Sequence, residues 1–83
     1  MSALIMFRSL TRAERAVHIL AARGIPSAVI RAPRGLSERG CAFAASLGER
    51  YLREALGVLE REGVAHEKAY LPRADGSYRE AEI

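Results

Sequence analysis

Apolar positions recur along this chain with two different spacings. Leu4-Ile5-Met6-Phe7 is a continuous apolar run closed by the polar Arg8-Ser9, the pattern of a strand buried on both faces. Thr11-Arg12-Ala13-Glu14 then matches a capping box, in which the Thr hydroxyl and the Glu carboxylate satisfy free backbone N–H groups at a helix start. Ala13, Ala16, Val17 and Leu20 follow at helical spacing, and Gly24 with Pro26 marks the stop. Ser27-Ala28-Val29-Ile30-Arg31 predicts a second strand, ended by Ala32-Pro33 because proline cannot continue a central ladder. Cys41-Ala42-Phe43-Ala44-Ala45 predicts a third, against the helical preference of alanine. Ser46-Leu47-Gly48-Glu49 offers a second capping box, ahead of Leu52, Ala55, Leu56 and Leu59 on one face, with Gly57 inside the helix and Gly63 as its stop. Val64 to Leu71 predicts a fourth strand, placed at an edge by its polar His66, Glu67 and Lys68.

This order is the split βαβ arrangement of ferredoxin-like α+β folds (βαββαβ). It implies a four-stranded antiparallel sheet of order 4-1-3-2 with both helices on one face. A weak internal repeat supports it: Arg23-Gly24-Ile25-Pro26-Ser27 and Glu62-Gly63-Val64-Ala65-His66 each close a helix and lead into a strand. The domain is expected over residues 1–71. Residues 72–83 form a polar tail, in which Ala74-Asp75-Gly76-Ser77 either turns a hairpin or leaves the segment disordered. Covering only one sheet face leaves Leu4, Met6, Ala42 and Ala44 to line the other. A homodimer through that face, or the tail folded over it, would remove the exposure.

The chain's 83 residues suit one small domain, burying roughly 60–65% of the surface its unfolded form exposes, so no large pocket is expected. With 49% hydrophobic and 28% charged residues the chain has ordinary globular composition. Its apolar runs are too short to span a bilayer, and the N-terminus lacks the pattern of a secretory signal. A single cysteine forms no internal disulfide, which points to the cytoplasm.

Residues 1–39 carry seven arginines against two glutamates, whereas the remainder is net acidic. The five aromatics are scattered rather than interleaved with a basic stripe, which argues against a nucleic-acid module. The positive half ends at the turn-rich segment Ala32–Gly40, directly before Cys41. A thiol flanked by positive charge ionises more easily, and the thiolate is the form that attacks or accepts sulfur.

If the third strand lies antiparallel beside the first, Cys41 neighbours Arg8, Ser9 and Thr11, where the first helix begins. Cys41 and Phe43 then share a face, placing the thiol under the helix start, whose free N–H groups and dipole stabilise a thiolate. Arg34 and Arg39 add charge, and Ser37 can donate a hydrogen bond. Each also has an ordinary use: Arg34 and Arg39 as solvated loop charges, Ser37 as a turn residue, Cys41 as a small buried core residue. Gly35 and Gly40 serve the connection or leave room beside the sulfur.

His18 and His66 read as surface histidines, and with one cysteine they offer no metal-ligand spacing. No phosphate-binding glycine loop and no Ser-His-Asp signature is present. The carboxylates Glu49, Glu54, Glu60 and Glu62 read as a solvated helix face.

Phe7-Arg8-Ser9 followed by Ala13, then Gly24-Ile25-Pro26, then Pro33-Arg34, Leu36-Ser37 and Cys41 resembles, over roughly residues 3–70, the small bacterial family called putative selenium/sulfur carrier protein-like. The order and spacing of these short motifs carry the resemblance. It implies a carrier rather than an enzyme, needing no cofactor. Cys41 holds a persulfide or perselenide taken from a cysteine desulfurase and passes it to an acceptor protein, with Arg34 and Ser37 as loop neighbours. Ala42 stands where the family pattern often has glycine. The alternative from the residues alone is a non-catalytic interaction or regulatory domain that dimerises through its open sheet face.

Overall fold

Every residue of Ala3–Phe7 is buried, none more than 1% exposed, as a central strand covered on both faces requires. The computed structural model describes residues 2–33, 35–36 and 42–81. Its elements are β1 (Ser2–Phe7), α1 (Leu10–Ala22), β2 (Ser27–Arg31), β3 (Phe43–Gly48), a 3-10 turn (Glu49–Tyr51) leading into α2 (Leu52–Arg61), β4 (Ala69–Pro72) and β5 (Tyr78–Glu80). They form an α+β unit with one antiparallel sheet of order β2-β3-β1-β4-β5. The sheet thus has five strands where four were expected. β4 is flanked by β1 and β5, so it is not the edge.

The fifth strand comes from the polar C-terminal segment, which turns a hairpin. Asp75 Oδ1 accepts hydrogen bonds from the Ser77 backbone N–H at 2.9 Å and hydroxyl at 2.6 Å. Gly76 adopts φ +89°, a conformation side chains disfavour. The turn brings Tyr78, Arg79 and Glu80 opposite Pro72, Leu71 and Tyr70.

Alternation along the strands divides the apolar residues between two layers. On one face Ala3, Ile5, Phe7, Ala45, Leu47 and Ala69 pack with Ala13, Ala16 and Leu20 of α1 and with Leu52, Ala55, Leu56, Val58 and Leu59 of α2. Full burial of a side chain such as Phe7 contributes on the order of 2–3 kcal/mol. On the other face Leu4, Met6, Ala44 and Tyr70 form a second cluster, against which Ile30, Ala32, Leu36 and Tyr78 pack. This corrects the expectation of an open face. Leu4, Met6 and Ala44 are buried within the chain itself and Ala42 is half-buried.

Both predicted capping boxes give way to other arrangements. The N-cap of α1 is Ser9, whose Oγ accepts the Arg12 backbone N–H at 3.2 Å, while Thr11 lies inside the first turn. Ser46 is a strand residue paired with Leu4 and Ala28, and α2 begins through the 3-10 turn without a side-chain cap. Both helix stops stand as expected. Gly24 (φ +78°) and Gly63 (φ +71°) let the next N–H fold back, Ile25 N–H to Leu20 O and Val64 N–H to Leu59 O, each at 2.9 Å. Residues 64–68, expected in a strand, have no regular structure, though Glu67 N–H donates to Met6 O at 2.8 Å. No helix among the described residues is long and apolar enough to cross a membrane.

Candidate functional site

The candidate site lies at the end of the sheet where β1 finishes and β3 begins. Phe7 pairs with Phe43, and Phe43 pairs in turn with Arg31, so the three strands end in one row, Arg31–Phe43–Phe7. Phe43 packs against the helix-covered core, as expected for a residue beginning this strand. The third strand itself runs Phe43–Gly48 rather than Cys41–Ala45. Its register is set by the β1 and β2 ladders on both sides. Alanine suits this position because Ala44 and Ala45 are fully buried between close neighbours, a tertiary demand that overrides helix propensity.

From this row β1 continues into Arg8 and Ser9 and then α1. Arg8 is exposed, with its Nε 3.5 Å from Glu67 Oε1. Such an exposed pair contributes little to stability, so the guanidinium stays available at modest cost. Ser9 Oγ is engaged as an acceptor by the α1 cap, which leaves its hydroxyl hydrogen free to donate. Thr11 is exposed one residue into the helix, and the first turn carries no carboxylate to offset the positive dipole end. Arg8, Ser9 and Thr11 are therefore gathered at one end of the sheet, as the sequence predicts. Cys41, Arg34, Ser37 and Arg39 lie outside the described residues, as does Gly40.

Sequence reasoning did not single out Arg31. It is exposed and stands in the same row as Phe43 and Phe7, supplying a second arginine to this end. As the last residue of a predicted strand it carried no signal until the register was known.

The segment that follows Arg31 is held at defined points. The Ala32 N–H donates to Ala42 O at 2.9 Å, joining the residue after β2 to the residue before β3. The Leu36 N–H donates to Pro33 O at 3.2 Å across a turn in which Gly35 has φ +87°. Gly35 thus serves the connection directly, since that backbone conformation favours glycine.

The remaining candidates separate from this end. His18 is exposed on α1. His66, expected on an edge strand, is half-buried in the irregular segment, and its Nδ1 lies 2.7 Å from the Glu67 carbonyl oxygen. No cluster of His, Cys, Asp or Glu that could hold a metal occurs among the described residues. Glu49, Glu54, Glu60 and Glu62 are exposed, the solvated face the sequence predicts.

A family model described as Putative Se/S carrier protein-like matches residues 2–71 of the chain. No curated protein matches it, and no solved structure does.

Proposed function

The chain belongs to the Putative Se/S carrier protein-like family, and we propose that it carries sulfur or selenium on the side chain of Cys41. The observation that carries this reading is the family match itself, which spans residues 2–71 and so includes the chain's single cysteine. Arg8, Ser9, Arg31 and the start of α1, gathered at one end of the sheet, support it. They are groups that favour an anion close to the residues flanking Cys41 in the chain.

The chemistry is thiol exchange. The Cys41 thiolate attacks the outer sulfur of a persulfide on a cysteine desulfurase. A new S–S bond forms to Cys41, the donor's S–S bond breaks, and the donor cysteine departs as a thiolate. In the second half an acceptor thiolate attacks the outer sulfur held on Cys41, which leaves as its own thiolate. Neither half needs an added oxidant or reductant, because the transferred sulfur keeps its oxidation level. Selenium follows the same path as a perselenide. With no second cysteine to resolve the persulfide within the chain, the sulfur passes to another protein, and the chain acts as a carrier rather than an enzyme. A reducing compartment such as the cytoplasm keeps this thiol free.

The competing reading, a domain dimerising through an open sheet face, loses its surface, since Leu4, Met6 and Ala44 are already covered by residues of the same chain. The test is to mix the chain with a desulfurase already bearing a persulfide and to follow a persulfide-specific label. Label moving from the donor to the wild-type chain, and not to Cys41→Ala, supports the carrier. Label remaining on the donor in both cases overturns it.

A further inference from the structure

We propose that the chain pairs with a second copy of itself along the open edge of β2, an inference independent of the carrier reading. Among the described residues the sheet ends at β2 on one side and at β5 on the other. The Ala32 N–H bond to Ala42 O continues the β2–β3 register one step beyond Arg31 and Phe43. Hydrogen-bonded pairs alternate along an antiparallel ladder, so Ala28, Ile30 and Ala32 turn their backbone groups toward β3. Ser27, Val29 and Arg31 turn theirs outward. Among the described residues no backbone bond outside the ladders reaches these three.

The two edges differ in how they are guarded. β5 is three residues long with Arg79 at its centre, and pairing with its own copy about that centre sets Arg79 against Arg79. β2 runs without a bulge from Ser27 to Arg31 and has neither proline nor lysine within it, the usual devices that keep an edge from pairing. A twofold axis at Val29 sets Val29 against Val29, Ala28 against Ile30 of the second copy, and Ser27 against its Arg31. No like charges are opposed. The same register meets outward-facing groups with outward-facing groups, so Ser27, Val29 and Arg31 each gain the backbone bonds they lack.

Val29 and Ile30 are half-buried and Ala28 is exposed, so pairing removes apolar surface from water at its centre and leaves Arg31 at its rim. Hydrogen bonding, side-chain size and charge are thus self-complementary about one point, which is the requirement of an isologous interface. A strand of another protein would need no such symmetry. The product is one continuous sheet, five strands from each copy, and it leaves the sheet face covered by Leu36 and Tyr78 undisturbed.

Sedimentation equilibrium of the full chain over a concentration series tests this. The wild-type mass is expected to rise from 9.1 kDa toward twice that value as concentration increases. Val29→Pro removes an outward N–H that β3 does not use, and so deletes both bonds at the axis while keeping the β2–β3 ladder. Ala28→Lys places a charge at an exposed edge position. Each is expected to weaken the dimer about tenfold or more, whereas Arg79→Glu on the guarded edge leaves its dissociation constant unchanged. A wild-type chain that stays at 9.1 kDa throughout leaves β2 to a strand of another protein and overturns the proposal. A dimer that either folded variant fails to weaken overturns it as well, since the second copy then sits elsewhere. If circular dichroism shows Val29→Pro unfolded, Ala28→Lys decides between the same two outcomes.

Discussion

Arg23 and Glu62, 39 residues apart, pair at 2.6 Å, and each is the residue at which a helix ends. They occupy matching places in the two copies of the weak internal repeat. Behind each stands a glycine with positive φ, and behind that an apolar residue, Ile25 or Val64, whose N–H folds back to the last turn. The repeat visible in the sequence is thus a repeated helix-ending device, and the two copies touch through opposite charges. Both side chains are more than a third exposed. A double-mutant cycle with Arg23→Ala and Glu62→Ala is expected to return a coupling of about 0.2–1 kcal/mol that fades with salt. A larger coupling would mean that the pair is shielded from solvent.

Ser9, not Thr11, caps α1. Ser9→Ala should lower stability by about 0.5–2 kcal/mol in denaturant unfolding. Thr11→Ala, at an exposed position inside the first turn, should change it by no more than about 0.5 kcal/mol. The reverse ranking would restore the capping box read from the sequence.

Gly57 sits inside α2 with no positive φ to require it. An added Cβ would meet only the flexible end of Arg61, at 3.5 Å from its Nη1. Gly57→Ala is therefore expected to raise stability by about 0.5–1 kcal/mol. A loss of stability would show that Arg61 cannot give way.

Asp75 is fully exposed, and the Ser77 hydroxyl and backbone N–H hold its carboxyl below the ordinary value of 3.8. Because the folded pKa is depressed, this carboxylate's support for the β4–β5 turn is present above the unfolded pKa and is lost as pH falls through the lowered folded value. An NMR titration should give Asp75 a midpoint below 3.8, and Ser77→Ala should move that midpoint upward. A midpoint unmoved by Ser77→Ala would remove the hydroxyl as the cause.

Much of the frame was legible in the chain because the signals were local. The bounds of β2, Ser27–Arg31, follow from branched residues closed by Pro33, and the helix stops follow from Gly24 and Gly63. Where local and tertiary demands competed, the sequence misled. Ser46-Leu47-Gly48-Glu49 fits a capping box, yet Ser46 is held between Leu4 and Ala28 because β3 is the strand both neighbours need. For β5 the sequence leaves a hairpin and disorder open, because three residues, two of them charged, have no apolar alternation to decide between them. The cover on the second sheet face is open for a related reason: the sequence offers a second copy or the tail, and Leu36 and Tyr78 are single apolar residues in otherwise polar surroundings.

Within the site the outcome divides in the same way. The placement of Arg8, Ser9 and Thr11 beside the start of β3 follows from strand order alone, because antiparallel pairing of β1 with β3 fixes which chain ends meet. Arg31 required the register of β2 against β3, which turn and strand signals do not set when the connection is long. The carrier role proposed for Cys41 comes from the resemblance, and Cys41 itself lies outside the described residues.

Incubation with a cysteine desulfurase and cysteine, followed by intact-mass measurement, tests the carrier function most directly. The wild-type chain is expected to gain the mass of one sulfur atom, removable by a reducing thiol, and Cys41→Ala is expected to gain none. A wild-type chain of unchanged mass, recovered beside a desulfurase that has formed its own persulfide, would contradict the carrier function.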